Sequence, residues 1–223
     1  MVDIQRILRM VDKDHIEMFD EAYIEGLYRK YVSVDYDDQT SRDWLSTWLS
    51  EQNVVLICPG RSLADHEEAI REFILEKHAK VISVNFVPSF LAPDAVFCAN
   101  TKRLPNIMDL DGPIRMITSN LVESAEDAYE HVFSFNDAVY FNEEFCEDST
   151  LMLLKILMEC GCETVSIAGF DGFQDGAQNY YTPDYTREEG TNIPARKVTH
   201  ILANALDKIH VHFLTPSAYS GEN

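Results

Sequence analysis

The sequence predicts an α/β protein: a mostly parallel sheet flanked by helices, preceded by a helical extension. Three observations carry this expectation. Val54-Val55-Leu56-Ile57 is wholly apolar and mostly β-branched, the pattern of a strand buried on both faces. Pro59-Gly60 breaks that run, and a helical pattern follows from Ala64 to His78. The same alternation returns near the end: an apolar helix at Leu151 to Glu159, a strand at Glu163 to Gly172, then a last helix and strand. With 223 residues, 46% of them hydrophobic, the chain suits one α/β domain of residues 52–219 plus an extension of residues 1–51.

Composition excludes several partners. The formal net charge of −20, from 18 Lys and Arg against 38 Asp and Glu, repels nucleic acid and anionic membranes. No apolar run approaches the ~20 residues of a membrane span. The opening Met1-Val2-Asp3-Ile4-Gln5-Arg6 does not read as a signal peptide. Five cysteines is an odd number, and Cys58, Cys98, Cys160 and Cys162 lie in or beside apolar segments. Reduced core thiols in a cytoplasmic protein are expected. Cys160-Gly161-Cys162 lacks the spacing of a zinc or redox site, so no metal is expected.

In chain order, Ile4, Ile7, Leu8 and Val11, then Ile16, Phe19, Tyr23, Ile24 and Leu27, keep helical spacing. Thr40 or Ser41 is placed to cap a further helix carrying Trp44, Leu45, Trp48 and Leu49. Asp35, Asp37 and Asp38 between them read as a solvated acidic loop. After Val54 to Ile57 comes the turn Cys58-Pro59-Gly60-Arg61-Ser62, where glycine and a helix start can make an anion site. The helix beyond turns Ile70, Phe73 and Ile74 inward. Strands are expected at Lys80 to Asn85, Pro93 to Asn100 and Ile114 to Thr118. They end on Asn85, Asn100 and Ser119/Asn120, which together would form one polar rim at the carboxyl edge, where open α/β sheets bind ligands. Ser124 to His131 is helix-like, and Val132 to Phe141 mixes strand and turn character. Asp148-Ser149-Thr150 opens the apolar helix, which Gly161 ends. The next strand delivers Asp171, a carboxylate placed to accept from a hydroxyl or to orient a loop. Phe173 to Asn192 is a long polar and aromatic loop with Tyr180, Tyr181 and Tyr185, suited to a lid. A helix from Ala195 to Ile209 and a strand from Val211 to Leu214 finish the domain. In so acidic a chain, a phosphate would need backbone dipoles and a few cations, such as Arg61, Lys102, Arg103 and Arg196.

Residues 54–217 resemble the bacterial sialyltransferases that use CMP-activated sialic acid and have a single Rossmann-like domain. Ala168-Gly169-Phe170-Asp171-Gly172-Phe173-Gln174-Asp175-Gly176 is similar to that family's Gly-Ile-Asp-Phe-Tyr-Gln-Asn-Gly region. Cys58-Pro59-Gly60-Arg61-Ser62-Leu63 falls on its Gly-Asn-Gly-Pro-Ser-Leu turn, and Asn85 and Asn100 fall on two nucleotide-contacting asparagines. The resemblance implies a Rossmann-like fold and a nucleotide pocket built from Gly60, Arg61, Ser62, Asn85, Asn100, Ser149 and Asp171. It also implies a nucleotide sugar as substrate, no bound cofactor or metal, and Tyr180 and Asp171 as the catalytic candidates. The departures concern activity. Pro59 and Phe173 replace an asparagine and a tyrosine of the pattern, and the family's histidine base falls near Pro194. The same turn, Ala168 to Gly172 and Leu214-Thr215-Pro216-Ser217-Ala218-Tyr219 also look like the domain C-terminal to isopropylmalate/homocitrate-synthase-type aldolase barrels in surface-polysaccharide loci. That second resemblance implies an accessory domain with a barrel partner. A homo-oligomer is compatible with either.

Overall fold

A computed structural model describes residues 36–141, 145–146, 148–174, 177–182, 185 and 195–220. The helical spacings at 4–27, together with Asp35, Asp175, Arg187 and Pro194, lie outside the described residues. The expected fold is present: a seven-stranded parallel sheet with helices on both faces, a Rossmann-like α/β architecture.

The strands are β1 (Val54–Ile57), β2 (Lys80–Val84), β3 (Ala95–Cys98), β4 (Ile114–Thr118), β5 (His131–Phe133), β8 (Thr164–Ala168) and β9 (His210–Phe213). Their order across the sheet is β5-β4-β3-β2-β1-β8-β9. A small antiparallel pair, β6 (Tyr140–Phe141) and β7 (Phe145–Cys146), stands apart. The helices are α1 (Gln39–Trp48), α2 (Leu63–Lys77), α3 (Pro105–Met108), α4 (Val122–Ala125), α5 (Phe135–Ala138), α6 (Ser149–Glu159) and α7 (Ala195–His200). From β1 the chain first winds outward to β5, then returns to lay β8 against the other side of β1.

Burial follows the two-residue period of a strand. Val54 and Leu56 of β1, Ile82 and Val84 of β2 and Phe97 of β3 face the core shared with α1 and α6. Val55 and Ile57 face the opposite core with Leu63 and Ile70 of α2. Both faces are covered, which is why β1 and β3 read as continuous apolar runs. Apart from Lys155 the middle of α6 is apolar, and Leu151 to Leu154, Ile156 and Leu157 are fully buried. Each such side chain contributes about 1.5–3 kcal/mol on transfer from water. Asp148 caps α6, its carboxylate accepting from the Thr150 and Leu151 amides, and Gly161 follows the helix with φ +87°.

Several elements differ from the sequence expectation. Asp38 occupies the N-cap position of α1, not Thr40 or Ser41. Nor is Asp38 a solvated loop residue: it is buried, accepts from the Ser134 amide at 2.9 Å and pairs with Arg42 at 2.7 Å. Leu45 and Leu49 join the main core, so α1 packs into the α/β body. The helix expected at 124–131 is confined to α4, because Glu126 and Asp127 take positive φ and turn the chain. The last helix stops short of Ile209: α7 passes into a π-helical turn, Ile201–Ala205.

Candidate functional site

The chain reverses its winding between β1 and β8. In an open α/β sheet the crevice beyond the carboxyl ends of such a strand pair is where ligands bind. Two segments meet there, 58–62 after β1 and Gly169 to Asp171 after β8. The Cys58 amide donates to the Ala168 carbonyl and the Gly60 amide to the Gly169 carbonyl, each at 2.8 Å. The contact is close enough to require glycine on both sides. A Cβ on Gly60 would lie 2.2 Å from the Gly169 carbonyl oxygen and 2.6 Å from Asp171. Gly169 has φ +73°, and its Cβ would lie 2.1 Å from the Cys58 carbonyl oxygen.

This approach delivers Asp171 to the start of α2. Its carboxylate accepts from the Ser62 amide at 2.7 Å and from the Ser62 hydroxyl at 2.5 Å. The helix start foreseen as an anion site therefore carries the chain's own anion. Burial raises the Asp171 pKa above the usual aspartate value, and the Ser62 bonds oppose that rise. The carboxylate keeps lone pairs for a further hydroxyl donor. Beside it, His66 Nδ1 lies 2.8 Å from the Ser62 carbonyl oxygen. A carbonyl only accepts, so in this bond Nδ1 donates, and a neutral ring keeps its lone pair on Nε2. Sequence reasoning passed over His66; its one signal was its place four residues after Ser62, on the first turn of α2.

The described part of the aromatic loop, 177–182 and 185, packs on this turn. The Arg61 amide donates to the Asn179 carbonyl at 3.2 Å and the Tyr181 amide to the Pro59 carbonyl at 2.9 Å. Tyr180 thus faces Gly60 across a single antiparallel bridge. The Tyr180 ring lies 5.8 Å from Phe173 and 5.9 Å from Tyr185. The Tyr181 hydroxyl donates to Glu67 on α2 at 2.8 Å and pairs with the Ser89 hydroxyl. The Tyr185 hydroxyl accepts from Asn106 Nδ2 at 2.6 Å and donates to the Asn85 carbonyl at 3.2 Å. The Arg103 guanidinium sits 3.8 Å over the Tyr185 ring and 5.6 Å from that of Tyr180.

Asn85 ends β2 with φ +66°, a left-handed conformation that costs a non-glycine residue energy. Its amide oxygen is buried and has no hydrogen-bond partner among the described residues. Strain and an unmet acceptor in one residue at a carboxyl edge are a functional signature.

The structure gathers Gly60, Arg61, Ser62, Asp171 and Tyr180 at one turn and ties Asn85 to them through Tyr185. Ser149 begins α6, whose first turn touches β1's end: Thr150 Oγ1 is 3.4 Å from Cys58 Sγ. Asn100 belongs to the rim by position, but its side-chain oxygen accepts from the Lys102 amide and shapes its own turn. Ser119 and Asn120 are likewise engaged within the protein, Ser119 accepting from the Phe135 amide and Asn120 from the Thr118 hydroxyl. Among the described residues no three His, Cys, Asp or Glu side chains cluster as a metal site, and no helix is long and apolar enough to cross a membrane. No protein-family model matches the chain, and no curated protein matches it. Fold and site define a Rossmann-like α/β protein with a polar, aromatic-strapped crevice at its switch point.

Proposed function

We propose that this chain binds a nucleotide or nucleotide sugar, a CMP-linked sugar foremost, across the carboxyl ends of β1, β2, β3 and β8. On this reading it is a glycosyltransferase-like protein of surface-glycan synthesis. The observation that carries it is Asn85. A strained residue with a buried, unmet amide oxygen beside a cluster of tyrosine rings suits a base or sugar that supplies an N–H or O–H donor. Asp171 would accept from a ribose hydroxyl, and Ser149 would line the crevice from the start of α6. For transfer, a base near the acceptor hydroxyl is required, and His66 is the histidine set at the crevice, with Nε2 as its free nitrogen. The test is Asn85→Gly, which keeps the positive φ without strain and removes the amide. The variant is expected to stay folded and to bind CMP at least tenfold more weakly by calorimetry. Unchanged affinity contradicts the reading.

A second reading has an observation of its own. Asp171 is already committed to Ser62 as the cap of α2, which favours binding without catalysis, as in an accessory domain of an aldolase-type protein. Donor hydrolysis or sugar transfer by this chain alone would count against it.

A further inference from the structure

We infer that Arg103 is the anion receptor of the crevice, so that a nucleotide's phosphate sits at the carboxyl end of β3 and not on the N-terminus of α2. The inference deepens the nucleotide reading and rests on it for the ligand's identity. The start of α2, where an α/β fold ordinarily holds a phosphate, has its Ser62 amide and hydroxyl taken by Asp171. A phosphate there would meet a carboxylate at contact distance, and the net charge of −20 gives no relief.

Arg103 offers what that turn lacks. Some cations are neutralised, Arg42 by Asp38 and Glu159, Lys80 by Asp94 and Arg115 by Glu130, whereas Arg61 on the turn itself has no ion pair among the described residues. Arg103 forms no ion pair among the described residues. Its guanidinium is held instead by an aromatic face, 3.8 Å over Tyr185. Stacking of this kind fixes the plane and leaves the in-plane N–H edges for bidentate bonds to phosphate oxygens. The platform is itself fixed, because the Tyr185 hydroxyl bonds both Asn106 and the Asn85 carbonyl. One tyrosine therefore joins the unmet amide of Asn85 to the unpaired guanidinium of Arg103. A ligand with a donor group and a phosphate a few bonds away would engage both.

The experiment measures binding of CMP, cytidine and inorganic pyrophosphate to wild type, Arg103→Gln and Arg103→Lys, by calorimetry and thermal shift. Arg103→Gln is expected to weaken CMP and pyrophosphate at least tenfold and to leave cytidine within twofold. Arg103→Lys, which keeps charge but not the fork, is expected to fall between. CMP bound equally well by wild type and Arg103→Gln overturns the inference and leaves the nucleotide reading standing. Pyrophosphate bound through Arg103, with neither CMP nor cytidine bound, supports the anion receptor and overturns the nucleotide reading. No response of the wild type to any of the three overturns both.

Discussion

Asp171→Ala tests whether the carboxylate is the cap of α2. In the wild type it accepts from the Ser62 amide at 2.7 Å and from the Ser62 hydroxyl at 2.5 Å. Hydrogen bonds to a charged group contribute about 1.5–3 kcal/mol each. The site is half-buried, so water replaces part of what is lost, and the sum comes to about 3 kcal/mol. For a domain of this size that is a fall of about 6–12 °C in Tm. Urea denaturation is the sharper assay, because an unchanged slope shows that only stability has moved. Ser62→Ala removes the hydroxyl bond alone and is expected to cost about 1 kcal/mol. The double variant is expected to lose about 1 kcal/mol less than the sum, since both substitutions remove the same bond. A loss under about 0.5 kcal/mol for Asp171→Ala, or full additivity with Ser62→Ala, would refute the capping role.

The same residue has a pH signature. Burial raises the folded pKa of Asp171 above its unfolded value, so its proton contributes stability that is full in acid and fades as pH rises through the raised value. The advantage of wild type over Asp171→Asn is expected to shrink from pH 3 upward through the carboxylate range; an advantage that grows with pH contradicts this. Gly169→Ala combines a positive φ with a backbone clash 2.1 Å from the Cys58 carbonyl oxygen. It is expected to cost at least ~3 kcal/mol, visible as insolubility or a Tm lower by more than about 6 °C; a Tm within 2 °C of wild type would deny the close approach. Burial lifts both the Cys58 and Cys98 thiols, Cys98 to about 12. Both are expected to resist a disulfide reagent at pH 8 until the protein unfolds, with Cys160 and Cys162 reacting first; rapid native-state labelling of Cys98 would contradict its burial.

The sheet was legible because its strands are buried on both faces: Val54 to Ile57 carries that as an unbroken apolar run, and Lys80 to Val84 and Thr164 to Ala168 as β-branched runs broken only by small or terminal polar residues. What escaped depends on contacts distant in the chain. Asp171 caps a helix through Ser62, 109 residues earlier in the chain, and nothing in the local sequence separates that role from ligand binding. Asp38 looked like one of three loop acids until β5 brought the Ser134 amide to it. The stop of α4 lies in the backbone of Glu126 and Asp127, ordinary residues in an unusual conformation. Residue types alone pointed to Asn85 and Asn100 equally. Only geometry separates an amide spent on its own turn from one left buried and unmet.

The most direct measurement of the central claim is a thermal-shift titration against CMP, CDP, UDP, GDP and ADP, without added metal. A ligand at one hundred times its Kd stabilises the fold by about 2.7 kcal/mol, which at this chain length is a rise of about 5–10 °C. A selective rise with CMP or CDP is the expected result. A flat response to all five would contradict a nucleotide crevice between β1 and β8.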